Sequence, residues 1–294
     1  MGASHRILGR TGLSVLEVGF GAWAIGGDRS GWSYGPTDDR TSLRAIQTAI
    51  EFGCGFFDTA DWYGHGHSEE LLGKALRSRR SDAIIATKGG FDFYHGEVRP
   101  NFHPSYLRFA LHHSLRRLET DYVDVYQLHN PPPEILQCSA VIDELERLRS
   151  QGKIRWLGVS AATVQDGLQA IHAAWPDTIQ VVYNMLAPQA GMLLFPLAEA
   201  RRVGVIAREP LANGFLSGKY GIHSRFPPGD IRSHWSPEVI RDVVNQVEML
   251  EPYCRPGETL AQLAIRFVLE SRAVSVVICG CKTPEHVRDN FHAI

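Results

Sequence analysis

Eight short apolar runs recur along this chain, and longer stretches with helical spacing separate them. The runs are 16–21, 55–58, 83–88, 122–129, 154–160, 178–183, 203–208 and 274–280. Between them, 40–52 places Leu43, Ile46, Ala49 and Ile50 on one helical face, and 106–118 does the same with Leu107, Ala110, Leu111, Leu115 and Leu118. The stretches 141–149 and 259–270 follow the same period. Thr37, Asp38 and Asp39 supply a start signal for the first helix, and Pro104 and Ser105 for the third. A strand followed by a helix and another strand predicts parallel pairing, because a parallel neighbour needs a long crossover. Eight such units with no second compositional regime predict a closed (β/α)8 barrel forming a single domain over residues 1–294. Residues 7–18, with Gly9 and Gly12 between apolar residues, predict an N-terminal β-hairpin under the barrel.

The chain has 294 residues, of which 44% are hydrophobic, and a single barrel commonly takes ~250. Net charge is −2, so no basic excess points to nucleic acid. No apolar stretch approaches the ~20 residues that span a bilayer. The start MGASHRILGR lacks the apolar run of a signal peptide, and Arg6 stands where a myristoylation signal needs Ser or Thr. The five cysteines, Cys54, Cys138, Cys254, Cys279 and Cys281, are odd in number and form no CxxC. They read as free thiols in a cytoplasmic protein, with Cys279 and Cys281 as small residues at a strand end before they read as a redox pair.

Barrel enzymes work at the C-terminal ends of their strands. Reactive residues gather there in this sequence. Run two ends at Asp58, with Tyr63 just beyond; run three ends at Lys88 and run four at His129. Run five ends at Ser160, run six carries Gln180, run seven ends at Arg208, and Lys282 follows run eight. Each alone has a bland explanation as a solvated or structural residue. Their coincidence on one face does not. Tyrosine is too weak an acid near neutrality, but an adjacent ammonium favours its phenolate, and a carboxylate keeps that ammonium charged. This predicts a proton donor for a carbonyl oxygen, with a lowered phenol pKa. The segment 213–236 is rich in Gly, Pro, His and Ser, precedes a helical stretch at 237–250, and is long enough to expect function.

Four ordered blocks resemble the aldo-keto reductases, over nearly the whole chain. They are Asp58-Thr59-Ala60-Asp61-Trp62-Tyr63-Gly64 with Ser68-Glu69; Leu118 to Asp124 with Leu128-His129; Gly152-Lys153-Ile154-Arg155 with Gly158-Val159-Ser160; and Pro210 to Gly214 with Gly218-Lys219-Tyr220. The resemblance implies a tetrad of Tyr63 as general acid, Lys88 tuning it, Asp58 paired to Lys88, and His129 placing a small carbonyl substrate. It implies NADP(H), bound without a Rossmann fold. Consistently, Gly19-Phe20-Gly21 lacks the third glycine of that fingerprint. Ser160 and Gln180 would take the carboxamide, Arg208 would stack where many members have an aromatic ring, and Lys219 would lie near the pyrophosphate. Lys282 would meet the 2′-phosphate, with His286, Asp289 and Asn290 beside the adenosine. Gly21, Trp23, Pro210 and Leu211 complete the implied cofactor set. Ala161 and His286 depart from the common Asn or Arg and Gln. A long C-terminal loop common among relatives is expected to be missing, so Trp23, Trp62, Phe91, Phe93, Tyr94 and 213–236 are expected to wall the site.

His65-Gly66-His67 offers two imidazoles but no further ligands, so no metal is expected. Arg77 to Arg80 reads as a helix C-terminal cap. Two competing functions remain on this barrel: a redox-sensing accessory subunit that binds nucleotide with little turnover, and a Schiff-base aldolase using Lys88. Asp58 opposes the second by keeping the amine protonated.

Overall fold

The computed structural model describes residues 4–28 and 32–293. Eight parallel strands close into a barrel: β1 (Val18–Gly21), β2 (Phe56–Asp58), β3 (Ile84–Gly89), β4 (Val123–His129), β5 (Ile154–Ser160), β6 (Thr178–Val182), β7 (Gly204–Arg208) and β8 (Val274–Gly280). Each pairs with its successor, and β8 pairs with β1 to close the ring. The helices α1 (Asp39–Glu51), α2 (His67–Leu76), α3 (Pro104–Arg117), α4 (Ser139–Ser150), α5 (Val164–His172), α6 (Phe195–Arg201), α7 (Leu260–Glu270) and α8 (Pro284–Phe291) surround it. This is the barrel that the eight runs predict, with strand ends within two residues of the sequence reading.

Local chemistry starts the helices where the sequence signals them. The Asp38 side chain accepts from the Thr41 N–H at 2.9 Å at the start of α1, and Pro104 stands in the first turn of α3. Thr163 with Asp166, and Thr259 with Gln262, form reciprocal capping boxes on α5 and α7.

Two apolar layers hold the barrel. One lies between strands and helices, with Phe57, Ile85, Tyr126 and Leu128 facing outward onto Leu72, Leu107 and Leu111. The other fills the interior with Phe56, Ala86, Val125, Ile206, Val276 and Ile278. Leu8 and Val15 of the hairpin His5–Ile7 and Ser14–Leu16 join that interior layer, so the hairpin plugs the N-terminal end as expected. Burying such side chains stabilises by about 2 kcal/mol each.

The segment 213–236 is less irregular than its composition suggests. It holds two short 3-10 turns, Phe215–Ser217 and Ile231–His234. Phe215 is buried against Ile240, Val244 and Val247 of the helix Pro237–Glu248, and stacks on Trp235 at 5.3 Å. An aromatic anchor therefore ties this segment down where Gly and Pro content alone predicts a free loop.

Candidate active site

Period-two alternation decides which side chains enter the barrel. On β3 the inward series runs Ile84, Ala86, Lys88; on β4 it runs Val125, Gln127, His129; on β5 it runs Trp156, Gly158, Ser160. In each the apolar residue lies low and the polar residue lies at the mouth. Register brings the polar members together: Asp58 stands beside Ala86, Lys88 beside Gln127, and Ser160 between His129 and Gln180.

The result is a buried polar network. Lys88, with no solvent exposure, donates to Asp58 Oδ1 at 2.6 Å, to the Thr59 carbonyl at 2.8 Å and to the Tyr63 hydroxyl at 3.1 Å. The other Asp58 oxygen accepts from Gln180 Nε2 at 2.7 Å and Gln127 Nε2 at 3.1 Å. Gln127 is a member that the sequence reading missed. It fits because Gly158 faces it, where a Cβ would lie 2.9 Å from Gln127 Cγ.

Burial pulls the Lys88 ammonium down, yet the Asp58 carboxylate and Tyr63 hydroxyl outweigh it and hold the amine above its usual pKa. A charged Lys88 is a poor Schiff-base nucleophile, which agrees with the case against an aldolase. Burial pushes the Tyr63 phenol up by more than the Lys88 ammonium pulls it down, so its pKa stands above the ordinary value. This corrects the expected net lowering: the ammonium acts in the expected direction, but desolvation is the larger effect. Tyr63 is therefore a protonated phenol at neutral pH. Burial, with Lys88 and Arg208 nearby, drives His129 well below the usual imidazole pKa, so its ring is neutral there.

The turn after β2 aims Tyr63. Gly64 has φ +61°, and a Cβ there would sit 2.0 Å from the Gly26 carbonyl oxygen. Only glycine lets the two segments approach so closely.

Tyr63 opens into a cavity of about 400 Å³. Asp58, His129, Gly21, Trp23, Ser160, Gln180, Arg208, Pro210, Leu211, Lys219, Lys282, His286, Asp289 and Asn290 all line it, with Lys88 beneath the floor. Each sequence-predicted site residue thus reaches one site. Their present contacts refine the expectations. Ser160 donates to Gln180 Oε1 at 3.4 Å. Arg208 pairs with Glu209 through Nη1 and donates to the Ala161 carbonyl at 3.2 Å, while its buried Nε has no partner. Lys282 Nζ rests on the carbonyls of Tyr34 at 2.5 Å and of Gly35 and Pro36 at 3.3 Å. The Asp289 carboxylate accepts from Thr259 and Gln262, each at 3.0 Å, and Asn290 donates to Cys281 Sγ at 3.2 Å.

The expected aromatic walls divide. Trp23 and Trp62 line the cavity, and Phe91 backs Trp62 and His129, at 5.0 Å and 5.1 Å between ring centres. Phe93 and Tyr94 do not line it. Phe93 stacks between His65 at 4.7 Å and Tyr94 at 4.1 Å, and Tyr94 packs on Phe109 and accepts from Arg117 at 2.6 Å. These rings turn outward because Arg117 and Phe109 on α3 offer a partner there.

From 213–236, Asn213, Gly214, Ser217, Lys219, Tyr220 and Arg232 line the cavity. Tyr34 and Glu209 also line it, and sequence reading passed over both. Tyr34 donates to Asn213 Oδ1 at 2.9 Å, and the Arg232 guanidinium lies 4.8 Å from the Tyr34 ring centre. Such contacts cross between distant loops and leave no local pattern.

Other motifs resolve as structure. His67 pairs with Asp39 at 2.8 Å while His65 lies on Phe93, so the two imidazoles part. Among the described residues no three His, Cys, Asp or Glu side chains converge as metal ligands. Cys279 and Cys281 are buried at the end of β8, and burial pushes the Cys281 thiol up to about 12. Arg80 leaves the expected helix cap and runs to Asp124 at 2.8 Å. No helix among the described residues is long and apolar enough to cross a membrane.

Comparison with known proteins adds to this geometry. The model described as "Aldo/keto reductase family" matches residues 17–294. Aldo-keto reductase YhdN of Bacillus subtilis is 31% identical over 284 residues, which cover 93% of this chain and 83% of that protein. The NADH-specific methylglyoxal reductase of Escherichia coli is 28% identical over 304 residues, 98% of this chain and 92% of that one. Among solved structures, the holo form of aldo-keto reductase AKR11C1 from Bacillus halodurans superposes with a TM-score of 0.81 at 29% identity, covering 99% of this chain and 90% of its own.

Proposed function

The chain belongs to the aldo/keto reductase family of oxidoreductases, and on that premise we propose that it reduces an aldehyde or ketone to an alcohol with NADPH, Tyr63 donating the proton. The observation that carries this is the Tyr63 hydroxyl, 3.1 Å from a fully buried Lys88 ammonium and open to a cavity that fourteen further predicted residues line. When bound, the dihydronicotinamide supplies a hydride to the carbonyl carbon. Tyr63 gives its proton to the carbonyl oxygen. Lys88 steadies the phenolate that this leaves, which offsets the desolvation that otherwise disfavours it. Asp58, with Gln127 and Gln180 on its second oxygen, keeps Lys88 charged and aimed. His129, neutral and without a hydrogen-bond partner, receives the substrate oxygen beside Tyr63.

The residues present fit a nicotinamide dinucleotide. Arg208 keeps a buried N–H without a partner on the cavity wall, as a polar group awaiting a ligand does. Ser160 and Gln180 would hold the carboxamide, Lys219 the pyrophosphate, and His286, Asp289 and Asn290 the adenosine. Lys282 would meet the 2′-phosphate. Its three carbonyl partners orient the ammonium without neutralising it, which leaves the positive charge for a phosphate. One relative is named as NADH-specific, so the preference for NADPH stands on Lys282. The soluble cytoplasm is the expected setting, and small carbonyl compounds the expected partners.

Steady-state NADPH oxidation across a panel of aldehydes, ketones and quinones tests the reading. Turnover of at least one class, lost in Tyr63→Phe, is expected. NADPH bound with no turnover of any carbonyl would instead favour an accessory role.

A further inference from the structure

The segment around Tyr63 buries three carboxyls, Asp58, Asp61 and Glu69, but only two cations stand against them. Lys88 pairs with Asp58. Arg117 pairs with Glu69 Oε2 at 2.7 Å, and the other Glu69 oxygen accepts from Thr87 at 2.6 Å. The remaining Arg117 nitrogens go to Tyr94 at 2.6 Å and Ser114 at 3.4 Å. Asp61 is the surplus acid. It has no solvent exposure, and neither of its oxygens makes a hydrogen bond.

A carboxylate without a counterion or donors does not persist in such a place, whereas a neutral carboxylic acid does. Burial and the Glu69 carboxylate on α2 hold the Asp61 carboxyl well above the usual carboxylate range. Arg117 on α3 and Lys88 on β3 oppose this and are outweighed, as is the Trp62 N–H, which approaches without hydrogen-bond geometry. Tyr126 on β4, with Tyr94 and Tyr106, completes the ionisable groups that feel a charge on Asp61. Space is tight as well: a Cβ on Gly89 would strike the Tyr126 hydroxyl and lie 3.7 Å from Asp61 Oδ2.

The main chain ties Asp61 to both members of the predicted proton-donating pair. The Thr59 N–H donates to the Ala86 carbonyl at 2.8 Å, and the Asp61 N–H to the carbonyl of Lys88 itself at 3.2 Å, so this segment zips onto the end of β3. The Tyr63 N–H then donates to the Ala60 carbonyl at 3.2 Å, closing the turn that sets the phenol on the Lys88 ammonium. We propose that Asp61 is a positioning residue for Tyr63 that works only as the neutral acid. While it keeps its proton, its side chain stays buried and the 59–64 turn holds the Tyr63 hydroxyl on Lys88. When hydroxide takes that proton, the carboxylate finds no partner inside, turns toward solvent and draws the segment off β3, and reduction stops. The barrel thus carries an alkaline off-switch separate from the ionisation of Tyr63. The proposal rests on the reductase reading above and adds a control to it.

The first readout needs no turnover. Infrared spectra of the wild type at pH 7 are expected to contain the carbonyl stretch of a neutral carboxylic acid that Asp61→Asn lacks, and this band is expected to fade as pH rises, in step with kcat. The second is the pH profile of NADPH-dependent reduction of the best aldehyde in the panel above. Asp61→Asn copies the neutral acid in size, so kcat at pH 7 is expected to stay within about twofold. Above the Asp61 titration, loss of one required proton lowers wild-type kcat by about tenfold per pH unit, while Asp61→Asn holds its rate until Tyr63 itself titrates. A purely structural role would lower the rate at every pH and leave the alkaline limb in place. NADPH binding by fluorescence quenching confirms that the variant is folded, and Asp61→Ser serves if Asp61→Asn is not. Absence of the infrared band at pH 7, or an alkaline limb that the variant leaves where it was, overturns the switch and leaves the reductase reading intact. NADPH binding without turnover of any carbonyl overturns both.

Discussion

At the N-terminal end of the barrel, Glu17, Asp124 and Asp177 each meet arginine. Arg6 donates to Glu17 at 2.6 Å, Arg80 and Arg155 to Asp124 at 2.8 and 2.9 Å, and Arg10 to Asp177 at 3.0 Å. Backbone N–H groups take further oxygens: Ile85 donates to Asp124 and Leu157 to Asp177. At the C-terminal end, Asp61, Trp62, His129, Asn130 and Arg208 keep buried polar atoms without partners. The same strands run through both ends. The difference lies in what each end supplies: arginines meet the carboxylates at the base, and at the mouth buried polar atoms are left without partners. A satisfied network rigidifies, and an unsatisfied one stores the free energy that a ligand recovers. On the function proposed above, the base carries stability and the mouth carries chemistry.

The sharpest way to break that division is Tyr63→Phe. Carbonyl reduction is expected to fall by about a thousandfold, the usual range for losing a general acid, with NADPH affinity and unfolding midpoint little changed. Near-normal turnover would remove Tyr63 from the mechanism.

Asp124→Ala tests the other end. It strands two arginines over the Tyr122 ring, which each approaches at 4.0 Å. Removing one partner of a buried pair costs about 3 kcal/mol. Urea denaturation is expected to reveal that loss, while kcat of the folded fraction holds. A fall in kcat with unchanged stability would erase the contrast.

Lys282→Ala sharpens the mouth's own division between its two ends. Removing a charge-assisted contact is expected to weaken NADPH by about tenfold and NADH much less, read by titration. Equal weakening of both would leave Lys282 as no more than the anchor of the 34–36 carbonyls.

The smallest effect concerns pH. The folded His129 pKa is depressed, so below the usual imidazole value the unfolded chain binds a proton that the native chain refuses. Stability therefore rises with pH across that window and is lost as pH falls through it. His129→Gln is expected to flatten that slope between about pH 6.5 and 5 in thermal melts. An unchanged slope would mean that the imidazole is not held neutral.

The fold was legible because its signal is repetitive. Eight apolar runs with punctuating helices leave few alternatives, and Asp58, Lys88 and His129 stand out because a buried strand otherwise has no reason to end in them. What escaped depends on partners remote in sequence. Gln127 looked like an ordinary strand residue until Gly158 and Asp58 were seen beside it. Phe93 and Tyr94 were assigned to the cavity wall, but Arg117 holds them elsewhere. The net direction of the Tyr63 shift depends on desolvation, a property of enclosure that no spacing of residues reveals.

The hairpin plug and the pairing of β1 with β8 join the first and last parts of the chain. Leu8 packs against Gly204, and the Ile7 carbonyl accepts from Ser275 at 3.1 Å. On a ribosome adding about 5–20 residues per second, strand one waits many seconds for its final neighbour. Until residue 280 emerges, β1 and β7 each lack the neighbour that covers one edge, and an uncovered edge is a template for pairing with another chain.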